Sequence, residues 1–188
     1  MATSLMGKVV VGCTNGEILF FKDFTYHPFI FSSFGDLILM LDITLDSKWI
    51  LAMCTKHLLV IPNPHIGNLK SQEELKQRKP IRLMLDLVDI KRFSLSIFRV
   101  KRVGKETFKS ARFNTGSPIG CEELIVASIG SYLFLWDFTK IKRNEKTNYV
   151  VKKEEEYIVD TQFRFNMMNE LIVLTSEALR IEILDVDD

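Results

Sequence analysis

With 188 residues, 47% of them hydrophobic and 26% charged, the chain can bury one substantial core or two small ones, and its composition is that of an ordinary globular domain. A formal net charge of +1 gives no general pull toward nucleic acid or anionic membrane. No apolar run nears the roughly 20 residues of a spanning helix, and the start at Met1-Ala2-Thr3-Ser4-Leu5 has no basic region followed by an apolar stretch, which argues against a signal peptide.

The first predicted element is a hairpin from Lys8 to Phe21, turned at Asn15-Gly16, a strong local hairpin signal. It reads as a half-blade over residues 7–22. Three longer segments then repeat one pattern: an alternating strand, a polar turn, an apolar strand, a two-residue break and another apolar strand. They give blades at 37–62, 109–138 and 157–184. Asn15-Gly16 aligns with Thr55-Lys56, Gly130-Ser131 and Ser176-Glu177, in steps of about 40, 75 and 46 residues. Two of these steps suit the ~40–45-residue period of WD40 blades. The long middle step places an insertion or extended blade at 63–108, because so short a piece seldom sustains its own core.

A three-stranded meander leaves apolar faces and edges uncovered, and stacking blades around an axis covers both. The expected fold is therefore all-β: a partial WD40-like β-propeller of three to four antiparallel meander blades, one with an insertion. Phe20, Phe21, Leu59, Ile61, Phe134 and Trp136 should fill the spaces between blades. A ring normally needs about four to eight blades, so the end blades are left with open faces, through which two copies could pair.

Several runs carry a specific resemblance: Asp42 to Thr55, Ala111 to Gly116, Ile125 to Gly130, Trp136 to Ile141, Tyr149 to Lys153 and Asp160 to Phe165. They resemble the carboxy-terminal domain of the vacuolar import and degradation family numbered twenty-seven in yeast, which includes plant proteins linked to embryo and meristem development. The similarity runs from Gly7 to about Ile183. The resemblance implies the last part of a WD40-like propeller, preceded in the family by further blades and amino-terminal domains. It also implies a non-catalytic interaction scaffold in the import and degradation of cytosolic proteins, with no catalytic residues to carry over.

The candidate chemistry is sparse. His27, His57 and His65 stand in no zinc-ligand spacing, and no cofactor motif occurs. Cys121 has no histidine near it in sequence, so a hydrolase with a triad assembled across blades is the least supported reading. Cys13, Cys54 and Cys121 form no CxxC pair, and with no Asn-x-Ser/Thr acceptor they read as small buried thiols of a reducing compartment. The expected location is cytoplasmic, with the nucleus as the alternative. Asp23, Asp46 and Asp137 fall near turns, where Asp usually accepts from backbone N–H groups. The stretch 91–112 is basic with interleaved Phe93, Phe98, Phe108 and Phe113. It reads either as a strand pair with one basic face or, alternatively, as a nucleic-acid or phosphoinositide patch. Arg99, Lys101, Arg102, Lys105 and Lys109 are its candidate partner contacts, other proteins being the expected partners. Lys140–Lys146 reads as an exposed loop, and Glu154–Glu156 as a solvated turn.

Overall fold

Gly16 closes the first hairpin at a left-handed φ of +83°. Its N–H donates to the Cys13 carbonyl at 3.0 Å, and the Cys13 N–H donates to the Glu17 carbonyl at 2.8 Å. The loop is thus a turn followed by a left-handed residue, a three-residue connection that needs glycine at its last position. A Cβ at Gly16 would also lie 2.8 Å from the Asp36 carbonyl oxygen and the Ser33 Oγ. The computed structural model describes residues 1–23, 27–68, 73–74, 79–86, 107–116, 118–164, 167 and 170–184.

Among these residues the chain forms four antiparallel sheets in sequence order. The first contains β1 (Ala2–Thr3), β2 (Val9–Gly12), β3 (Ile18–Phe21) and β4 (Phe29–Phe31). The second contains β5 (Ile38–Ile43), β6 (Trp49–Cys54), β7 (Leu58–Pro62) and β8 (Ile81–Leu83). The third contains β9 (Ser110–Phe113), β10 (Leu124–Ile129), β11 (Tyr132–Asp137) and β12 (Tyr149–Lys153). The fourth contains β13 (Ile158–Phe163), β14 (Glu170–Thr175) and β15 (Leu179–Ile183). The first strands of successive sheets pack on one another, β1 on β5, β5 on β9 and β9 on β13. The sheets therefore stack as consecutive blades of a β-propeller.

Three apolar layers lie between the four sheets. Val10, Ile18 and Phe20 meet Ile43, Ile50, Leu59 and Ile61 in the first. Leu51, Leu58 and Val60 meet Phe113, Ile125, Phe134 and Trp136 in the second. Val126 and Leu133 meet Phe163, Leu171 and Val173 in the third. The second sheet is covered on both faces, so every residue of β6 and β7 is buried. Its sequence is accordingly a continuous apolar run rather than an alternation. Of the residues expected between blades, Phe20, Leu59, Ile61, Phe134 and Trp136 are buried. Phe21 is half-buried instead, because it faces away from the second sheet.

The observed sheets differ from the expected boundaries at their outer strands. Around the hairpin of residues 7–22, β1 and β4 complete a four-stranded sheet. In the segment 63–108, β8 pairs with β7, and Leu85 and Phe108 enter the second apolar layer; residues 87–106 lie outside the described ones. The unit read at 109–138 gains β12. Part of the Lys140–Lys146 stretch is helical rather than a loop: α1 (Phe138–Lys142) starts where the Asp137 carboxylate accepts the Lys140 N–H at 3.0 Å. That N-cap, with Phe138 and Ile141 buried beneath it, holds a single turn that would not persist alone.

Candidate interaction surfaces

Two carboxylates tie the second sheet to the third. Asp42, on the innermost strand β5, accepts the Phe113 N–H of β9 at 2.8 Å. Burial pushes its pKa up to about 6, against the pull of that N–H and of Arg112. Glu122, buried in the loop before β10, accepts the Leu45 N–H at 2.6 Å, and burial raises its pKa as well. The turn that presents Leu45 is built by Thr44, whose Oγ1 accepts the Trp49 N–H at 3.1 Å and donates to Asp46 Oδ1 at 2.8 Å. Ser47 closes it at φ 64°. Asp46 thus holds the backbone of its own turn, also accepting from the Lys48 N–H at 3.0 Å.

The third and fourth sheets are joined through hydroxyls and a guanidinium. Ser110 Oγ lies 2.7 Å from Ser128 Oγ and 2.8 Å from Thr161 Oγ1, all three buried. Arg112 Nε donates to the Thr161 carbonyl at 3.3 Å, and its guanidinium reaches Asp160 at 3.9 Å. Gly116 sits where the loops of these sheets meet. A Cβ there would lie 2.6 Å from the Arg164 carbonyl oxygen and closer still to that of Met167.

At the outer rim the same two sheets are joined by charge. Lys152 of β12 pairs with Glu182 of β15, and Arg180 pairs with Glu156 at 2.7 Å and Glu155 at 3.6 Å. Glu156 also accepts from the Thr175 hydroxyl. Within the Glu154–Glu156 run, Glu156 is therefore built into this joint, while Glu155 stays solvated as expected of a turn. Glu154 is buried, and burial followed by the nearby Glu182 raises its pKa.

The fourth sheet presents its other face to solvent. Cross-strand register places Leu174 opposite Leu179, and Ile172 opposite Ile181, with Ile183 opposite Glu170. Leu179 is 65% exposed, Ile181 51% and Ile183 67%. On β15 the charged residues Arg180 and Glu182 thus face the neighbouring sheet, while the apolar residues face outward. The first sheet has a milder counterpart: Val11, Leu19 and Phe21 are half-buried and Ile30 is exposed on the face turned from the second sheet.

The positions read from sequence scatter. Arg99, Lys101, Arg102 and Lys105 lie outside the described residues. Lys109 is exposed, with its ammonium 5.9 Å from the centre of the Tyr157 ring. Phe108 and Phe113 are core residues, and Arg112 serves the sheet joint, so this end of the basic stretch offers no stacking platform. His57 is buried against Asp36 at 3.5 Å, and burial lowers its pKa. His65 stacks on Phe29, ring centres 3.9 Å apart, and His27 is exposed. Among the described residues no three His, Cys, Asp or Glu side chains group to hold a metal. Cys54 is buried, as small thiols often are, and burial pushes it up to about 11; Cys13 is half-buried and Cys121 exposed, because both sit on hairpin loops. Sequence reasoning missed Asp42 and Glu122; it expected open faces on the end blades but named no residue of β15 for them. The available signal was a lone carboxylate inside an apolar strand, and an apolar alternation on a last strand.

The whole-chain comparisons agree with this geometry. Residues 1–184 match the family model described as the VID27 C-terminal WD40-like domain. Over 181 residues the chain is 27% identical to "Vacuolar import and degradation protein 27" of Schizosaccharomyces pombe; this is 92% of the chain and 22% of that protein. The chain thus spans about a fifth of the curated relative's length. Among solved structures, the β-propeller domain of Myceliophteria thermophila Cps50 (Swd1) superposes with a TM-score of 0.59 at 13% identity, over 95% of this chain and 50% of that one. The C-terminal WD40 domain of Sif2 gives 0.58 at 9% identity, over 93% and 42%. Dihydro-heme d1 dehydrogenase NirN gives 0.60 at 12% identity, over 98% and 34%. At these identities the likeness shows the fold.

Proposed function

From the premise that this chain belongs to the VID27 family as its C-terminal WD40-like domain, we propose that it is a non-catalytic interaction scaffold that binds other proteins. The observation that carries the reading is the outward apolar face of the fourth sheet, with Leu179, Ile181 and Ile183 more than half exposed. An exposed apolar face of this kind marks a contact surface. The name of the fission yeast relative supports extending the proposal to vacuolar import and degradation; we propose cytosolic proteins as what is imported and the cytoplasm as where the chain acts. No helix among the described residues is long and apolar enough to cross a membrane.

Binding of nucleic acid or phosphoinositide through Arg99, Lys101, Arg102, Lys105 and Lys109 is the weaker reading. Burial of Phe108 and Phe113 removes two of its aromatic platforms. Photo-cross-linking in cells tests the scaffold. A photoreactive residue at position 181 is expected to give discrete adducts with other proteins that the same residue at exposed position 153 does not. Position-independent adducts, or adducts with nucleic acid alone, would overturn the reading.

A further inference from the structure

We infer that a rim at the starts of the innermost strands, built from Leu37, Leu39, Lys109, Tyr157 and Val159, seats a peptide segment of a partner protein in which one carboxylate side chain stands between apolar ones. This is a second surface, and it does not depend on the outward face of the fourth sheet. It starts from register. β5 and β13 carry the same irregularity: the ladder steps from Ile38 straight to Met40, and from Ile158 straight to Asp160. Ile38 pairs with Cys54 and Ile158 with Thr175, each the last residue before a two-residue turn, Thr55-Lys56 or Ser176-Glu177. Leu39 and Val159 are therefore equivalent, each an extra residue in the innermost strand of its sheet. A bulge of this kind re-aims a side chain.

Both bulge residues are apolar and meet water. Ile38 packs on the first apolar layer and Met40 on the second, whereas Leu39 between them joins neither and is 44% exposed. Val159 is 49% exposed beside the buried Ile158. Two residues earlier stand Leu37 and Tyr157, 49% and 42% exposed. Sheets lie on both sides of β5, so blades elsewhere in a ring would not cover Leu37 and Leu39. Four apolar residues exposed at matching places on two inner strands mark a contact surface.

β9 runs between these two strands. As first strands of successive blades, β5, β9 and β13 lie side by side in one direction, tied where Asp42 accepts from the Phe113 N–H and where Ser110 meets Thr161. Their starts therefore share one end. The residue just before β9 is Lys109, exposed, with its ammonium 5.9 Å from the centre of the Tyr157 ring. Among the described residues no carboxylate answers it. Arg112, three residues along the same strand, has both the Thr161 carbonyl and Asp160. The rim thus reads apolar, cationic, apolar across three strands. A single unanswered cation between apolar pairs suits one carboxylate flanked by aliphatic or aromatic side chains, and is too little charge for a nucleic-acid backbone. Facing sheets lie roughly 10 Å apart and an extended chain rises about 3.3 Å per residue. The carboxylate should therefore stand about three residues from the apolar side chain on either side.

Selection of random peptides displayed on phage against the purified chain tests this. Enriched peptides are expected to carry Asp or Glu between apolar residues, and to bind in solution as synthetic peptides. Leu39→Asp, and separately Lys109→Glu, should each weaken that binding at least tenfold, while Leu179→Asp on the fourth sheet leaves it unchanged. All three positions are exposed, and unchanged circular dichroism confirms that each variant folds. Exchanging charge is the sharper arm: a peptide whose acidic residue is replaced by lysine should bind the Lys109→Glu chain and not the parent. No enrichment over an unrelated protein, or enriched peptides that ignore Leu39→Asp, would overturn the rim. Peptides that need no acidic residue and ignore Lys109→Glu would overturn the acidic partner. Binding lost with Leu179→Asp alone would put the peptide on the fourth sheet, overturning this proposal and leaving the scaffold reading in place. The scaffold reading fails separately, when position 181 in cells gives no adduct with any other protein.

Discussion

The second and fourth sheets share a strand pattern and differ in what lies beside them. In the second, β6 and β7 are buried on both faces, and their sequences are unbroken apolar runs. In the fourth, β15 alternates Leu-Arg-Ile-Glu-Ile, but the alternation has the unexpected sense. The charged residues meet the neighbouring sheet, where Lys152, Glu155 and Glu156 answer them, and the apolar residues meet water. A solvent-facing sheet normally puts its polar residues outward. The difference teaches that burial within one chain and the pattern written in its strands are separate facts, and that their disagreement locates a contact.

The comparison can be broken most severely inside the doubly covered region. Trp136→Ala, within the second apolar layer, should cost about 3–5 kcal/mol, read as a lowered denaturation midpoint with an unchanged slope. Gly116→Ala should come next, at about 1–3 kcal/mol of overpacking, because the new Cβ meets backbone oxygens of the fourth sheet's loop. Its signature should be loss of amide protection concentrated in β13 and β14.

A third effect, on the order of 1 kcal/mol, is pH-dependent. The folded pKa of Asp42, about 6, lies above its ordinary 3.8, so the fold holds that proton more tightly than the unfolded chain does. Its contribution is therefore fullest below about pH 4 and is lost as pH rises through 6. Asp42→Asn keeps an oxygen for the Phe113 N–H and removes the titration. Its thermal midpoint should fall less than that of the parent between pH 4 and pH 7. Burial of His57 acts in the opposite sense, since a lowered pKa loses stability as pH falls below 6.5. The smallest effect should come from the fourth sheet: Leu179→Thr is expected to change monomer stability by no more than about 0.5 kcal/mol, measured where the chain is dilute. A large loss there would mean that the outward face is already covered within the chain.

The inner hairpins were legible because two covered faces demand long apolar runs around short turns, as at Trp49 to Pro62 and Leu124 to Asp137. The outer strands were not. β1 has two residues, β4 and β8 three, and β12 reads Tyr-Val-Val-Lys-Lys with no clean alternation. Such strands are specified by the free edge of a neighbour more than by their own composition. The joints between sheets were illegible for a related reason. Asp42 donates nothing to the pattern of β5, and its partner is a main-chain N–H contributed by a residue 71 positions away. Of the basic stretch, Lys109 and Arg112 diverge, one exposed and one folded into a joint, because Lys109 lies just before β9, beside Tyr157, while Arg112 lies within the strand that packs on the fourth sheet.

The carboxylate joints have a consequence for how the protein tolerates change. Both Asp42 and Glu122 accept from main-chain N–H groups, of Phe113 and Leu45. A main-chain donor is present whatever side chain the position carries, proline excepted. Each joint therefore rests on a single codon: the donor side can vary for packing alone, while the acceptor side has only the other carboxylate or an amide to vary into. A saturation library should show that asymmetry directly, with Asp42 and Glu122 narrow in what they accept and Phe113 and Leu45 filtered only by size, hydrophobicity and the exclusion of proline.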